Sequence, residues 1–421
     1  MSSIKPFKAI CYSKDKVKDF EKVMSPPYDV ISSEQQDYLH NLSPYNFTHI
    51  DFGKDKPSDD KDNNKYSRAE EFFADWLKKG VMAQDEKPGI YFYKQDYKIM
   101  GQLNTRLGFI SLMELDKEGD TTIHPHENTH AKAVDDRLKL TKALNANLSC
   151  IFVCYSDRQK KVEKIFHKQI VSQKPFIDVT DADDVRHRLW RMTDPNLIEE
   201  INDSINGQNL FIADGHHRYR VSQEYRNFRA SRKASGAANE PYNYVMTYFT
   251  NLDSKDLKIF PIYRIVKHIK KDMAFLEEYF RFDKVKSKED LLILLARAGK
   301  NEHAFGLYTK DGVKLLRLKN KMLVNTVVKE GSADYKNLDA TILKYFVFDK
   351  IGVASEDIVY TKDFKEATDM VDNGLAEASF ILNPVPISQL KAIALNGERM
   401  PPKTTYFYPK VLSGLTVYKM D

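Results

Sequence analysis

Eleven histidines occur in the 421 residues, and five of them stand in two short motifs. His216 and His217 belong to Asp214-Gly215-His216-His217-Arg218. His124, His126 and His130 belong to a polar run from Thr121 to His130. A solitary histidine is usually packed in a core or left on a surface. A pair flanked by glycine and arginine asks for more. Imidazole carries charge or delivers a proton near neutral pH, and guanidinium grips an anion with two parallel N–H bonds. Asn209 to Ala213 reads as a short buried strand, and the residues after Gly215 read as a long helix to about Lys233. Gly215 permits the tight turn between them. The first turn of a helix presents unpaired N–H groups and the positive end of the macrodipole, which together suit phosphate. Asp214, at the end of the strand, can orient a histidine, hold a cation or accept a proton. The simpler alternative makes Asp214 the helix cap, which explains an aspartate but not the Gly-His-His-Arg behind it.

The second motif, His126-Glu127-Asn128-Thr129-His130, matches the H-E-x-x-H pattern of zinc peptidases literally. That chemistry needs both histidines on one face of a continuous helix, plus a third ligand. Pro125 leaves His126 in the first turn at best, and no glutamate occurs between Glu127 and Glu163. The more economical reading is a loop that supplies Glu127 as a carboxylate, with Thr129, His130 and Arg137 for polar groups of a substrate. Two proline-stiffened segments stand apart as well. Ser25 to Val30 (SPPYDV) offers Tyr28 and Asp29. Met400 to Gly414 offers Lys403 and Lys410, of a type that suits phosphate but is more often ordinary surface lysine. No Walker A, no G-x-G-x-x-G opening a helix and no G-x-S-x-G elbow is found, so the familiar nucleotide kinases, dinucleotide-dependent dehydrogenases and α/β-hydrolases drop out.

The elements that must position these residues alternate irregularly. Tyr66–Lys79, Ala131–Leu144, Arg158–Gln169, Pro195–Ile205, His268–Tyr279, Ser287–Ala298, Asp339–Val347, Lys365–Asn373 and Ile387–Asn396 read as helices. Gly89–Tyr93, Leu107–Leu115, Leu148–Tyr155, Tyr242–Thr250, Leu257–Val266, Ala304–Thr309, Lys314–Leu318, Ser379–Leu382 and Thr404–Lys419 read as strands. Residues 234–241 read as a flexible loop. Mixed order of this kind predicts an α+β fold. The composition changes after about residue 267, and the expected division is an N-terminal segment over 1–88, a middle region over 89–266 and a C-terminal region over 267–421. The last is a lid, a dimer surface or part of the site.

With 65 basic and 60 acidic residues intermixed, the net charge of +5 points to no nucleic-acid partner. No apolar run approaches a membrane span, and Lys5, Lys8 and Lys14 interrupt any leader. Three cysteines make no disulfide framework, so a reducing cytoplasm is the expected home.

At these motifs the chain resembles a bacterial and archaeal family long described as a domain of unknown function. The resemblance is carried by Pro26-Pro27-Tyr28-Asp29-Val30, Pro125-His126-Glu127 with Asp136-Arg137, Ala213 to Tyr219, Tyr242 to Met246 and Pro401 to Gly414. Members look like free L-serine kinases, some using inorganic pyrophosphate. The resemblance implies a ParB/sulfiredoxin-like core embellished at both ends. It further implies L-serine and pyrophosphate as substrates, O-phosphoserine and phosphate as products and Mg²⁺ as cofactor; the alternatives are ADP or ATP as donor, or a non-catalytic ParB-like nucleotide-binding module, and a homodimer is one allowed assembly. In that reading Gly215, His216, His217 and Arg218 hold the donor phosphates, and Asp214 holds the metal. Glu127 is the first choice of base and Asp214 the second. Arg137 pairs with the serine carboxylate or with phosphate, His126, Thr129 and His130 bind substrate, and Lys403 and Lys410 close from the C-terminal segment.

Overall fold

The computed structural model describes residues 3–117, 119–232 and 239–420. The loop expected over 234–241 lies, up to Ala238, outside the described residues. The chain forms two compact units. The first contains residues up to Pro125, then Thr129–Leu257 and the C-terminal stretch from Pro409. The second contains His126–Asn128 and Lys258–Tyr408.

The first unit is built on a nine-stranded mixed sheet. Its strands are β1 (Ile4–Lys5), β2 (Ile90–Ile99), β3 (Gln102–Glu114), β4 (Ile123–His124), β5 (Ile151–Tyr155), β6 (Ile177–Thr180), β7 (Arg186–Met192), β8 (Leu210–Asp214) and β9 (Tyr244–Asn251). The order is β4-β8-β5-β9-β3-β2-β7-β6, with β1 added to β3. Pairs β4/β8 and β5/β9 are parallel; the others are antiparallel. The long β2–β3 hairpin closes through Met100 and Gly101, at φ of 48° and 76°. Two left-handed residues match the twist of the flanking strands.

Four helices matter to this unit: α1 (Lys65–Lys78), α2 (Ala131–Leu144), α3 (Pro195–Ile205) and α4 (His216–Ala230). Local chemistry sets their starts. Asn64 and Ser67 form a reciprocal capping box for α1. The Asp194 carboxylate accepts from the backbone of Asn196 and Leu197, and Pro195 fills the first position of α3. Phe92, Phe109, Ile151, Val153, Ile201, Leu210, Ile212 and Phe249 form the core between sheet and helices. All three cysteines are buried and free.

The second unit carries a six-stranded antiparallel sheet. Its strands are β10 (Tyr263–Val266), β11 (Phe280–Lys284), β12 (Ala304–Thr309), β13 (Gly312–Leu318), β14 (Ile358–Thr361) and β15 (Ala378–Ile381). Their order is β11-β13-β12-β15-β10-β14. Helices α5 (Lys288–Ala298), α6 (Phe364–Asp372) and α7 (Ile387–Leu395) belong to it, as does a short ribbon of Lys258–Phe260 with Tyr406–Tyr408. The fold is α+β, as the element order predicts. Among the described residues no helix is long and apolar enough to cross a membrane.

Several expectations change. The strand expected over Leu257–Val266 is two, split at Pro261, which has no N–H to give a ladder. The helix expected over His268–Tyr279 shrinks to Leu276–Tyr279. The side chain of Asp272 takes the N–H of Ala274, and Glu377 takes that of Ile269, so local acceptors compete with helix formation. Helices expected over Arg158–Gln169 and Asp339–Val347 each widen into a π turn, at Phe166–Ile170 and Lys344–Phe348. The terminal strand reduces to Tyr406–Tyr408 and Tyr418–Lys419.

Candidate functional site

Strand β8 ends on Asp214, and α4 begins at His216. Gly215 between them is the cap residue, at φ 86°, and no side chain caps the helix. Asp214 is therefore not the cap. An added Cβ at residue 215 would lie 3.1 Å from the Arg218 guanidinium, so glycine serves both the turn and the close approach.

Asp214 is held from two sides. Arg218 Nη2 donates to its Oδ2 at 2.7 Å, and Lys410 Nζ donates to its Oδ1. Burial raises its carboxyl, but the charges of Lys410, Arg218 and His216 outweigh burial and hold it well below the usual carboxylate range. Arg218 Nη1 also donates to the carbonyl of Cys150, which fixes the fork. One carboxylate thus arranges two cations at the positive end of a 15-residue helix. His216 is buried at this start. His217 Nε2 accepts the backbone N–H of His130 at 3.0 Å, which puts the proton of its neutral ring on Nδ1. The two rings stack at 5.9 Å.

Arg137, on α2, is 6% exposed and fully engaged. Its Nε and Nη2 donate to Asp136 Oδ2 at 2.9 and 2.8 Å, and Nη1 donates to the Asp51 carbonyl at 2.6 Å. The guanidinium lies 4.2 Å over the ring of Tyr28. Lys65 and Tyr66 complete the ligation of Asp136 Oδ1, each at 2.9 Å. A small cavity of about 40 Å³ is lined by Tyr28, Asp51, Arg137, Ser149, Arg218 and Ser222. At roughly 10–15 Å³ per water on this measure, it holds a few waters.

The family model described as a protein of unknown function, DUF1015, matches residues 4–341. The chain belongs to this family. No curated protein matches it. Among solved structures it is similar to a free serine kinase in complex with AMP, at 13% identity and a TM-score of 0.37, over 71% of this chain and 86% of that one. It is similar to a conserved hypothetical protein from Pyrococcus furiosus at 15% identity and 0.36, over 73% and 95%. A C-terminally truncated SbnI from Staphylococcus aureus gives 10% and 0.38, over 72% and 85%. These likenesses are distant, and no residue's role is taken from them.

In this DUF1015 member, the expected site residues fall into two groups. Thr129, His130, Arg137, Asp214, Gly215, His216, His217, Arg218 and Lys410 belong to the first unit. Of these, Asp214, Arg218 and Lys410 meet directly; Thr129 and His130 are exposed. His126, Glu127 and Lys403 belong to the second unit. There His126 is buried, with Nε2 3.2 Å from Thr405 Oγ1 and its carbonyl accepting from Met400 N at 2.8 Å. Glu127 is half-buried and Lys403 exposed.

The H-E-x-x-H match fails as a zinc site. Residues 126–130 are not helical; α2 starts only at Ala131, with His130 as its cap residue. Among the described residues, no three of His, Cys, Asp and Glu gather as metal ligands. Asp214 fits a resident metal poorly for the same reason it fits cations well: Arg218 and Lys410 already occupy both oxygens. A magnesium ion that arrives on donor phosphates needs only one or two protein carboxylates and keeps its own waters.

Sequence reading misses Asp51 and Asp136 as partners of Arg137. Asp51 is 3% exposed, yet nothing in Thr48-His49-Ile50-Asp51 separates it from a surface acid. Its partner is 86 residues away.

Proposed function

We propose that this protein phosphorylates free L-serine, with inorganic pyrophosphate as donor. One arrangement supports the reading above others: Asp214, ionised, holding Arg218 and Lys410 at the glycine-initiated start of α4. Phosphoryl transfer needs positioning and charge neutralisation more than covalent participation by the protein. The helix start, Arg218 and Lys410 supply that neutralisation. The family resemblance in the motifs supplies the substrate.

In the proposed step the serine hydroxyl oxygen bonds to the terminal phosphorus and the bridging P–O bond breaks. The hydroxyl proton passes to Glu127, phosphate leaves, and His216 protonates it. Asp214 is the weaker choice of base, since a carboxyl so acidic drives proton removal poorly. Magnesium is proposed to enter as the counter-ion of pyrophosphate, neutralising oxygens that would otherwise repel the attacking hydroxyl.

Purified protein incubated with Mg²⁺ and L-serine, and separately with pyrophosphate, ADP or ATP, decides the matter by phosphoserine detection. Phosphoserine from pyrophosphate is the expected result. No phosphoserine from any donor, together with no reverse reaction, overturns it. Glu127→Gln should abolish turnover and keep pyrophosphate binding; Arg218→Ala should lose both. Full turnover by Glu127→Gln would remove that residue from the mechanism.

A further inference from the structure

Arg106 is 0% exposed, yet among the described residues it has no carboxylate partner. Burying a guanidinium without a counter-ion is costly, so its hydrogen bonds must hold something in place. They do. Arg106 lies on β3 directly across from Gln95 on β2. Its Nε donates to Gln95 Oε1 at 3.0 Å, and its Nη2 donates both to that oxygen and to the carbonyl of Pro409. Gln95 Nε2, turned by that contact, donates to the carbonyl of Lys410 at 2.8 Å. The guanidinium plane rests against Phe152, 4.7 Å from the ring centre, and near Tyr248. Arg106 and Gln95 thus grip two consecutive carbonyls of the stretch whose lysine reaches Asp214.

We propose that Arg106 and Gln95 are positioning residues for Lys410. The fork of Arg106 orients the Gln95 amide, and the pair sets the Pro409–Lys410 backbone so that Nζ arrives on Asp214. The consequence for phosphate binding rests on the reading of that site as the donor subsite; the positioning itself does not.

Gln95→Glu separates the two. The carboxylate still accepts from Arg106 and now neutralises it, but it cannot donate to Lys410. Folding should hold, with a melting temperature equal to or above the parent's. Lys410 should be freed. Reductive methylation followed by peptide mass spectrometry should show its amine labelled several-fold faster than in the parent, with other lysines unchanged. Pyrophosphate binding, by calorimetry, should weaken roughly tenfold, and Gln95→Glu should add nothing to Lys410→Ala. Unchanged labelling of Lys410 in a folded Gln95→Glu protein overturns the proposal, whatever the enzyme does. Faster labelling with unaltered pyrophosphate affinity in both single variants upholds the positioning and removes Lys410 from the donor subsite.

Discussion

Lys410 and Lys403 lie seven residues apart in one proline-rich stretch, and each has a neighbouring backbone held by a buried arginine. In the first unit Arg106 takes the carbonyl of Pro409. In the second, Arg264 takes the carbonyl of Lys403 at 3.3 Å. Arg264 also lacks a carboxylate partner among the described residues, and burial pushes its guanidinium down to about 10. The side chains then diverge. Lys410 is half-buried on Asp214, while Lys403 is exposed, at φ 54°, and makes no ion pair among the described residues. A pinned backbone therefore does not by itself set an ion pair. What distinguishes Lys410 is an acid already waiting for it.

The comparison breaks most visibly at that acid. Asp214→Ala leaves the half-buried Arg218 and Lys410 without their shared counter-ion, and should cost about 3 kcal/mol in unfolding. Both tryptophans, Trp76 and Trp190, are buried in the first unit, so fluorescence in a denaturant titration reads this unit directly. A loss below 1 kcal/mol would mean that the two cations are stable without Asp214 and that the pairing is incidental.

Gly215→Ala should cost less, about 1–2 kcal/mol, because an L-residue pays that much for the left-handed region. The added methyl also presses on the Arg218 guanidinium. Pyrophosphate affinity should fall with stability; an affinity that survives would place the phosphate away from this turn.

Acid should separate the carboxylates around Arg137. Burial raises Asp136, but Arg137 and Lys65 outweigh it and hold the carboxyl at about 2, below its usual 3.8. A carboxyl lowered by folding adds stability that is complete above its unfolded value and is lost as pH falls from about 4 toward 2. Asp51 has the opposite sign: burial raises it despite Arg137, so its ionisation costs stability as pH climbs above 3.8. Asp136→Asn should flatten the loss of stability between pH 4 and 2, followed by tryptophan fluorescence. An unchanged slope would assign acid sensitivity elsewhere.

Much of this site is legible in the sequence because its signals are local. The change from an apolar run to a helical period, with glycine between, marks Asp214 to Arg218. Asp194 and Pro195 mark the start of α3 to the residue. The partners are not legible, since Asp51 meets Arg137 and the Cys150 carbonyl meets Arg218 from far along the chain, and neither carries a motif. Strand β7 escaped for a related reason. In Arg186-His187-Arg188-Leu189-Trp190-Arg191-Met192, His187 and Leu189 share one face with Arg191, and Trp190 and Met192 share the other with Arg186 and Arg188, so charge on both faces hides the period of two. That histidine is held by Tyr93 and by Asp181 at 2.9 Å, contacts that only the folded sheet supplies.

Lys403→Ala gives the smallest effect and the sharpest use of the comparison. An exposed lysine without a partner contributes little to stability, so unfolding should shift by no more than about 0.5 kcal/mol. Lys410→Ala leaves Asp214 with one cation fewer and should destabilise measurably more. In the assay the two should part again. Lys410→Ala should raise KM for pyrophosphate even where protein remains folded, since its cation is in place before the donor arrives. Lys403 makes no such pair among the described residues, so its removal should leave KM for pyrophosphate unchanged. Equal changes in KM from both variants would show that a prepaid ion pair confers no advantage on Lys410, and the distinction between the two lysines would fall with it.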